Sequence, residues 1–115
     1  MTDLLELLRC EVISGRELLD GFEPSGFFAA DLMSDVLAFA HPGNVLLTGL
    51  TSLQAVHTAD VAEIPAIVFV DGKRPTDAVR EKAEHRGIPL LATHFDMFEA
   101  CGRLYEAGHV PRRKP

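Results

Sequence analysis

Short uncharged runs alternate with amphipathic stretches along most of the chain. Val45-Leu46-Leu47-Thr48 and Ala66-Ile67-Val68-Phe69-Val70 carry no charge, and the second is rich in β-branched residues. Runs this short read as strands buried on both faces rather than as helices. Between them, Thr51-Ser52-Leu53-Gln54 matches a T-x-x-Q capping box. It predicts a helix to about Glu63, with Ala55, Val56, Ala59 and Ala62 as the buried stripe. Asp71-Gly72-Lys73-Arg74-Pro75 reads as a loop, after which Thr76 caps a helix through Arg86 that Gly87 ends. The apolar face of this helix is thin, mainly Val79 and Ala83. Pro89-Leu90-Leu91-Ala92 is another predicted strand, and Thr93 is the predicted cap of a last helix from about Phe95 to Ala107. Phe98, Cys101 and Tyr105 recur on it at helical spacing, with Met97, Cys101 and Leu104 as an adjoining row.

The first half is less regular. Thr2-Asp3 is a helix-start signal before Leu4-Leu5-Glu6-Leu7-Leu8, and Cys10-Glu11-Val12-Ile13 reads as a strand ending at Ser14-Gly15. The stretch from Arg16 to Phe22 is ambiguous. A strand is expected from Glu23 to Ala30, with Pro24 near its start, where a missing N–H is tolerated. A helix follows from Asp31 to Ala40, with Leu32, Val36 and Phe39 at 3.6-residue spacing and His41-Pro42-Gly43 as its stop. Alternating strands and helices imply parallel pairing. The expectation is a three-layer α/β/α domain whose sheet of about five strands is mostly parallel, with the first half as the place where it turns mixed.

With 115 residues there is room for one domain, expected over residues 1–110, followed by a flexible basic tail over 111–115. Eleven basic against 17 acidic residues give a formal charge of −6. Such a surface repels phosphate backbones, so no nucleic-acid partner is expected. No apolar run reaches membrane-spanning length, so no membrane partner is expected either. The start is acidic where a secretory signal would be basic. Cys10 and Cys101 are the only cysteines, and they are expected to be reduced thiols in a cytoplasmic protein.

Parallel α/β sheets take ligands beyond the carboxyl ends of their strands. That edge should collect Ser14-Gly15, Thr48-Gly49-Leu50-Thr51, Asp71-Gly72-Lys73-Arg74 and Thr93-His94. Free N–H groups at helix N-termini favour anions, Gly49 and Gly72 admit a ligand close to the backbone, and Lys73 and Arg74 add positive charge. Thr48, Gly49, Thr51, Asp71, Gly72, Lys73, Thr93 and His94 are therefore the candidate binding residues for a phosphate-bearing small molecule. The competing reading is that these are only the residues any strand-to-helix turn uses.

Catalytic machinery is not expected. Neither G-x-x-x-x-G-K-[ST] nor G-x-G-x-x-G occurs, and the lysine after Gly72 has no hydroxyl residue behind it. Two cysteines cannot supply the four thiolates an iron–sulfur cluster usually takes, and no cofactor is expected. His57 and Asp60 share a helix face without further metal partners, and His85 suits a helix C-terminus. Asp31 and Asp35 stand one turn apart and are read as capping and dipole residues of their helix rather than as an acid–base pair. Cys101 falls on an apolar stripe and is read as packed.

Four stretches in order, Leu32-Met33-Ser34-Asp35-Val36-Leu37, Leu46-Leu47-Thr48-Gly49-Leu50-Thr51, Val68 to Pro75 and Gly87 to Thr93, resemble a DRTGG domain. The ending from Met97 to Gly108 resembles that of free-standing DRTGG proteins, so the likeness covers about Leu4 to Gly108. It implies a non-catalytic regulatory module that forms homodimers. Such domains accompany the kinase domain of HPr kinase, some phosphotransacetylases and CBS-containing pyrophosphatases. Stand-alone members carry labels tied to HPr kinase or to hydrogenases, which makes a hydrogenase or another metabolic enzyme a candidate partner. The phosphate loop of the kinase is missing here. Leu50-Thr51 stand roughly where many members place the Asp-Arg pair of the family's name.

Overall fold

The computed structural model describes residues 2–109, so the expected tail over 111–115 lies outside the described residues. The elements in chain order are α1 (Thr2–Leu7), β1 (Glu11–Ser14), a 3-10 turn (Arg16–Leu19), β2 (Phe27–Ala29), α2 (Met33–Phe39), β3 (Val45–Thr48), α3 (Leu53–Val61), β4 (Ile67–Phe69), α4 (Asp77–Arg86), β5 (Leu90–Ala92) and α5 (Met97–Glu106). They form a five-stranded sheet in the order β1-β5-β4-β3-β2. Strands β2, β3, β4 and β5 pair in parallel, and β1 pairs antiparallel to β5, so the sheet is mixed.

Burial along the strands explains the layers. Successive side chains point to opposite faces of a sheet. Leu46, Ile67, Phe69 and Leu90 face one core with Val36, Val56 and Val79 of α2, α3 and α4. Val45, Leu47, Val68 and Leu91 face the other core with Leu4 and Leu104 of α1 and α5. The crossover helices thus share one face and the terminal helices cover the second. That arrangement is the three-layer α/β/α expected from the uncharged strands.

Several local expectations are corrected. β2 is shorter than the predicted strand from Glu23 to Ala30, and Pro24 lies outside it. Gly21 and Gly26, both at positive φ (71° and 88°), turn the chain before it can extend. α2 buries Met33 and Val36, and Ala40 just after it is buried too, while Leu32 is 61% and Phe39 41% exposed. On α5, Ala100 and Leu104 are buried, whereas Phe98 is 89% and Tyr105 64% exposed. On α2 Val36 is buried as expected but Leu32 and Phe39 are not, and on α5 the row that packs inward is Met97, Cys101 and Leu104 rather than Phe98 and Tyr105. The T-x-x-Q box does not form: Ser52 is the N-cap of α3 and makes no side-chain cap bond. Nor does Thr93 cap α5, because Asp96 does, accepting from the Glu99 N–H at 2.8 Å. Thr76 does cap α4, and Gly87 ends it in the left-handed region as expected.

Antiparallel β1 also moves one predicted site segment. Its carboxyl end lies at the amino end of the parallel strands, where Gly15 faces Pro89, the residue just before β5. Ser14-Gly15 therefore belongs to the edge opposite Thr48, Asp71 and Thr93.

Candidate functional site

The carboxyl ends of β3, β4 and β5 release three connections side by side. After β3 the chain turns at Thr48-Gly49. Thr48 is buried, and its hydroxyl accepts the Leu50 N–H at 3.1 Å, which bends the chain towards α3. After β4, Asp71 and Gly72 both take positive φ (62° and 68°), and the Lys73 N–H donates to the Val70 carbonyl at 3.2 Å. Two consecutive positive φ values closed by such a bond are those of a type I′ turn, for which Asp-Gly is a favoured pair. The turn is anchored sideways, with Asp71 N–H donating to the Phe95 carbonyl and Gly72 N–H to the Thr93 carbonyl. After β5, buried Thr93 repeats the pattern of Thr48: its hydroxyl accepts the Phe95 N–H at 3.3 Å.

Both threonine hydroxyls are committed inside the protein. Thr93 donates to the Leu8 carbonyl at 2.6 Å, fastening the end of α1 to the β5 edge. Thr48 donates to Asp31 Oδ1 at 3.3 Å. The surface of the edge is instead made by Gly49, Thr51, Asp71, Gly72, Lys73 and His94. His94 lies against Gly72, where a Cβ would come within 3.2 Å of its Nδ1.

Asp31 is the residue that sequence reasoning placed elsewhere. It does not cap α2, whose N-cap is Leu32 without a side-chain bond. It reaches across to β3, where Oδ1 accepts the Gly49 N–H at 2.7 Å. A pairing 18 residues apart in the chain leaves no local signal. What surrounds Gly49 is two charged side-chain ends rather than backbone. A Cβ there would stand 3.2 Å from Lys73 Nζ, 3.4 Å from Asp31 Oδ1 and 3.7 Å from Oδ2. The ammonium and the carboxylate therefore flank one bare face of the backbone.

Lys73 joins no ion pair among the described residues, whereas its neighbour Arg74 is bound to Glu11 at 2.6 Å. Arg74 thus staples the loop to β1, and Lys73 is left over Gly49. Beside it, the N-terminus of α3 has no side-chain cap, while α4 and α5 are both capped. Leu32 and Leu53, adjoining Asp31 and opening α3, add 61% and 51% exposed apolar side chains to the rim. Leu50, near the family's Asp-Arg position, is half-buried against the core, so the cation at this loop comes from Lys73.

The family model of the DRTGG domain matches residues 3–107. The chain belongs to the DRTGG domain family. Among solved structures, this DRTGG domain is similar to the CBS and DRTGG domains of the regulatory region of Clostridium perfringens pyrophosphatase, crystallised with its activator diadenosine tetraphosphate. The superposition has a TM-score of 0.75 at 18% identity, and covers 90% of this chain and 45% of that one. At that identity the likeness establishes the fold, and this chain spans less than half of that regulatory region. No curated protein matches the sequence.

Other candidate chemistry does not assemble. Among the described residues no group of three or more His, Cys, Asp or Glu side chains could hold a metal ion. Asp60 of the His57/Asp60 pair is engaged with Arg86 at 3.2 Å. Burial pushes the Cys10 thiol up to about 12 and raises that of Cys101 as well, so both disfavour the nucleophilic thiolate. No described helix is long and apolar enough to cross a membrane.

Proposed function

We propose that this DRTGG domain is a non-catalytic regulatory module of the cytoplasm that senses a nucleotide or another phosphate-bearing small molecule at the carboxyl edge of its sheet. The observation that carries this reading is the Lys73 ammonium over Gly49, in no ion pair among the described residues, next to the N-terminus of α3, which like that of α2 has no side-chain cap. A lysine and free helix N–H groups together suit a phosphate. The exposed Leu32 and Leu53 suit the apolar face of a base. The solved relative, whose regulatory region holds CBS and DRTGG domains with a dinucleotide activator, supports a regulatory role for this chain. The test is a thermal-shift screen with AMP, ADP, ATP, GTP, acetyl phosphate and inorganic phosphate. A compound at about 100 times its dissociation constant adds roughly 2.7 kcal/mol, several degrees of Tm. Lys73→Ala, at an exposed residue outside any ion pair among the described residues, is expected to keep the unliganded Tm and to lose most of the shift. No shift with any compound would defeat the reading.

The homodimer belongs to the same proposal, and α5 supports it. Phe98 and Tyr105 are exposed on either side of Gly102, beside which a Cβ would meet nothing within 4 Å. An open depression of about 590 Å³ lies on that face, lined by Leu7, Phe98, Gly102 and Ala107 together with the charged Glu99, Arg103 and Glu106. Ridge and hollow on one patch suit a two-fold interface, in which the same surface serves both subunits. Phe98→Asp is expected to turn a dimer into a monomer in light scattering, with Tm of the isolated fold unchanged. A wild-type monomer would instead leave this face to another protein, such as a hydrogenase or another metabolic enzyme.

A further inference from the structure

We propose that the slot between Asp31, Gly49 and Lys73 selects a phosphate ligand that also carries hydroxyl groups, a nucleotide gripped by its ribose, over a bare acyl or inorganic phosphate. The proposal rests on the reading of this edge as a ligand site and names the ligand's chemistry.

Asp31 sets the selection. Its Oδ1 is already used by the Gly49 N–H at 2.7 Å and by the Thr48 hydroxyl at 3.3 Å. These two bonds fix the carboxylate against the end of β3. Oδ2 has no partner among the described residues, yet it faces the same bare side of Gly49 as the Lys73 ammonium. Lys73 Nζ, Oδ1 and Oδ2 lie 3.2, 3.4 and 3.7 Å from the point where a Cβ of residue 49 would stand. One ligand can therefore touch both charges.

The two charges ask for opposite things. An ammonium only donates hydrogen bonds, and an ionised carboxylate only accepts them. A compact dianion drawn to Lys73 would be repelled by Asp31. A ligand that places its phosphate at Lys73 and a hydroxyl donor at Asp31 satisfies both, and the hydroxyl–carboxylate bond is of the stronger, charge-assisted kind. Carboxylates at the edge of nucleotide-binding sheets hold ribose hydroxyls in this manner. The missing Cβ of Gly49 leaves room for the sugar against the backbone.

The experiment is calorimetric titration with AMP, 2′,3′-dideoxy-AMP and inorganic phosphate. The first two differ only in the ribose hydroxyls. Wild-type protein is expected to bind AMP about tenfold more tightly than the dideoxy compound, the effect of one charge-assisted hydrogen bond. In Asp31→Asn the amide oxygen can still accept from Gly49, but the open position becomes a donor. The preference for AMP should then vanish, and inorganic phosphate should bind more tightly than to wild type. Equal binding of AMP and dideoxy-AMP by wild type would overturn the proposal while leaving the ligand site in place. So would a preference that persists in Asp31→Asn. If neither nucleotide binds, this inference falls; if no phosphate compound of the thermal-shift screen binds either, the reading of the edge falls with it. The wild-type comparison needs no variant, so it stands even if Asp31→Asn fails to fold.

Discussion

Gly15→Ala should be among the most damaging single-methyl changes in this domain. Gly15 has φ 76° and ψ 24°, in the left-handed region that costs other residues about 1–2 kcal/mol. An added Cβ would also lie 2.7 Å from Pro89 Cα, a backbone atom that cannot swing aside. Pro89 in turn accepts the Ile67 N–H at 3.1 Å, so pushing it away strains the pairing of β4 with β5. Together, conformation and overlap should cost about 3–4 kcal/mol, roughly 15 °C of Tm. Gly21→Ala is the control. Its φ is 71°, but nothing lies within 4 Å of the added carbon. It should cost only about 1 kcal/mol. Equal losses in the two variants by thermal or urea denaturation would mean that the contact with Pro89 is not as tight as described.

Thr93→Val should cost about 2 kcal/mol although it keeps the side-chain shape. The hydroxyl bridges Leu8, at the end of α1, and Phe95, at the entry to α5. Leu8 is fully buried, so its carbonyl would be left without water or partner. Orphaning a buried acceptor costs about 1–3 kcal/mol. Thr51→Val is the matching control, because the Thr51 hydroxyl makes no hydrogen bond among the described residues. It should change stability by less than about 0.5 kcal/mol. Hydrogen exchange should further show the α1 amides opening faster in Thr93→Val than in Thr51→Val.

These threonines also mark what the sequence could and could not reveal. β3, β4, β5 and α4 were legible because their signals are local: uncharged runs, Thr76 ahead of a helix, Gly87 behind it. The cap assigned to Thr51 failed because α3 starts one residue later, with Ser52 as its N-cap, and the cap assigned to Thr93 failed because its hydroxyl goes to a better partner in space. For Thr93 that partner is 85 residues away. Periodicity fixed the spacing of apolar residues on α2 and α5 but not which of two neighbouring rows turns inward. The larger residues, Leu32, Phe98 and Tyr105, turned outward, Met33 and Ala100 took core positions, and of the two rows read on α5 it is Met97, Cys101 and Leu104 that packs inward. Antiparallel β1 could not be separated from a parallel strand by its composition, and Ser14-Gly15 was placed at the wrong edge for that reason.

The candidate site divides in the same way. Gly49, Gly72, Lys73 and His94 were found from the rule that parallel strands present ligands at their carboxyl ends. Asp31 was taken for a helix cap, since nothing near it in the chain shows that it meets Gly49. With Asp31 in place the edge carries a carboxylate and an ammonium about one glycine, which is a more selective arrangement than a basic loop.

The proposed phosphate site at the carboxyl edge and the proposed interface on α5 are far enough apart in the fold to be told apart by amide shifts. The most direct measurement is a two-dimensional amide spectrum of the protein titrated with AMP. Saturable shifts are expected at Gly49, Leu50, Gly72, Lys73 and His94, with Gly102 and Arg103 on α5 unmoved. Shifts clustered on α5, or none anywhere at millimolar AMP, would contradict the proposed phosphate site.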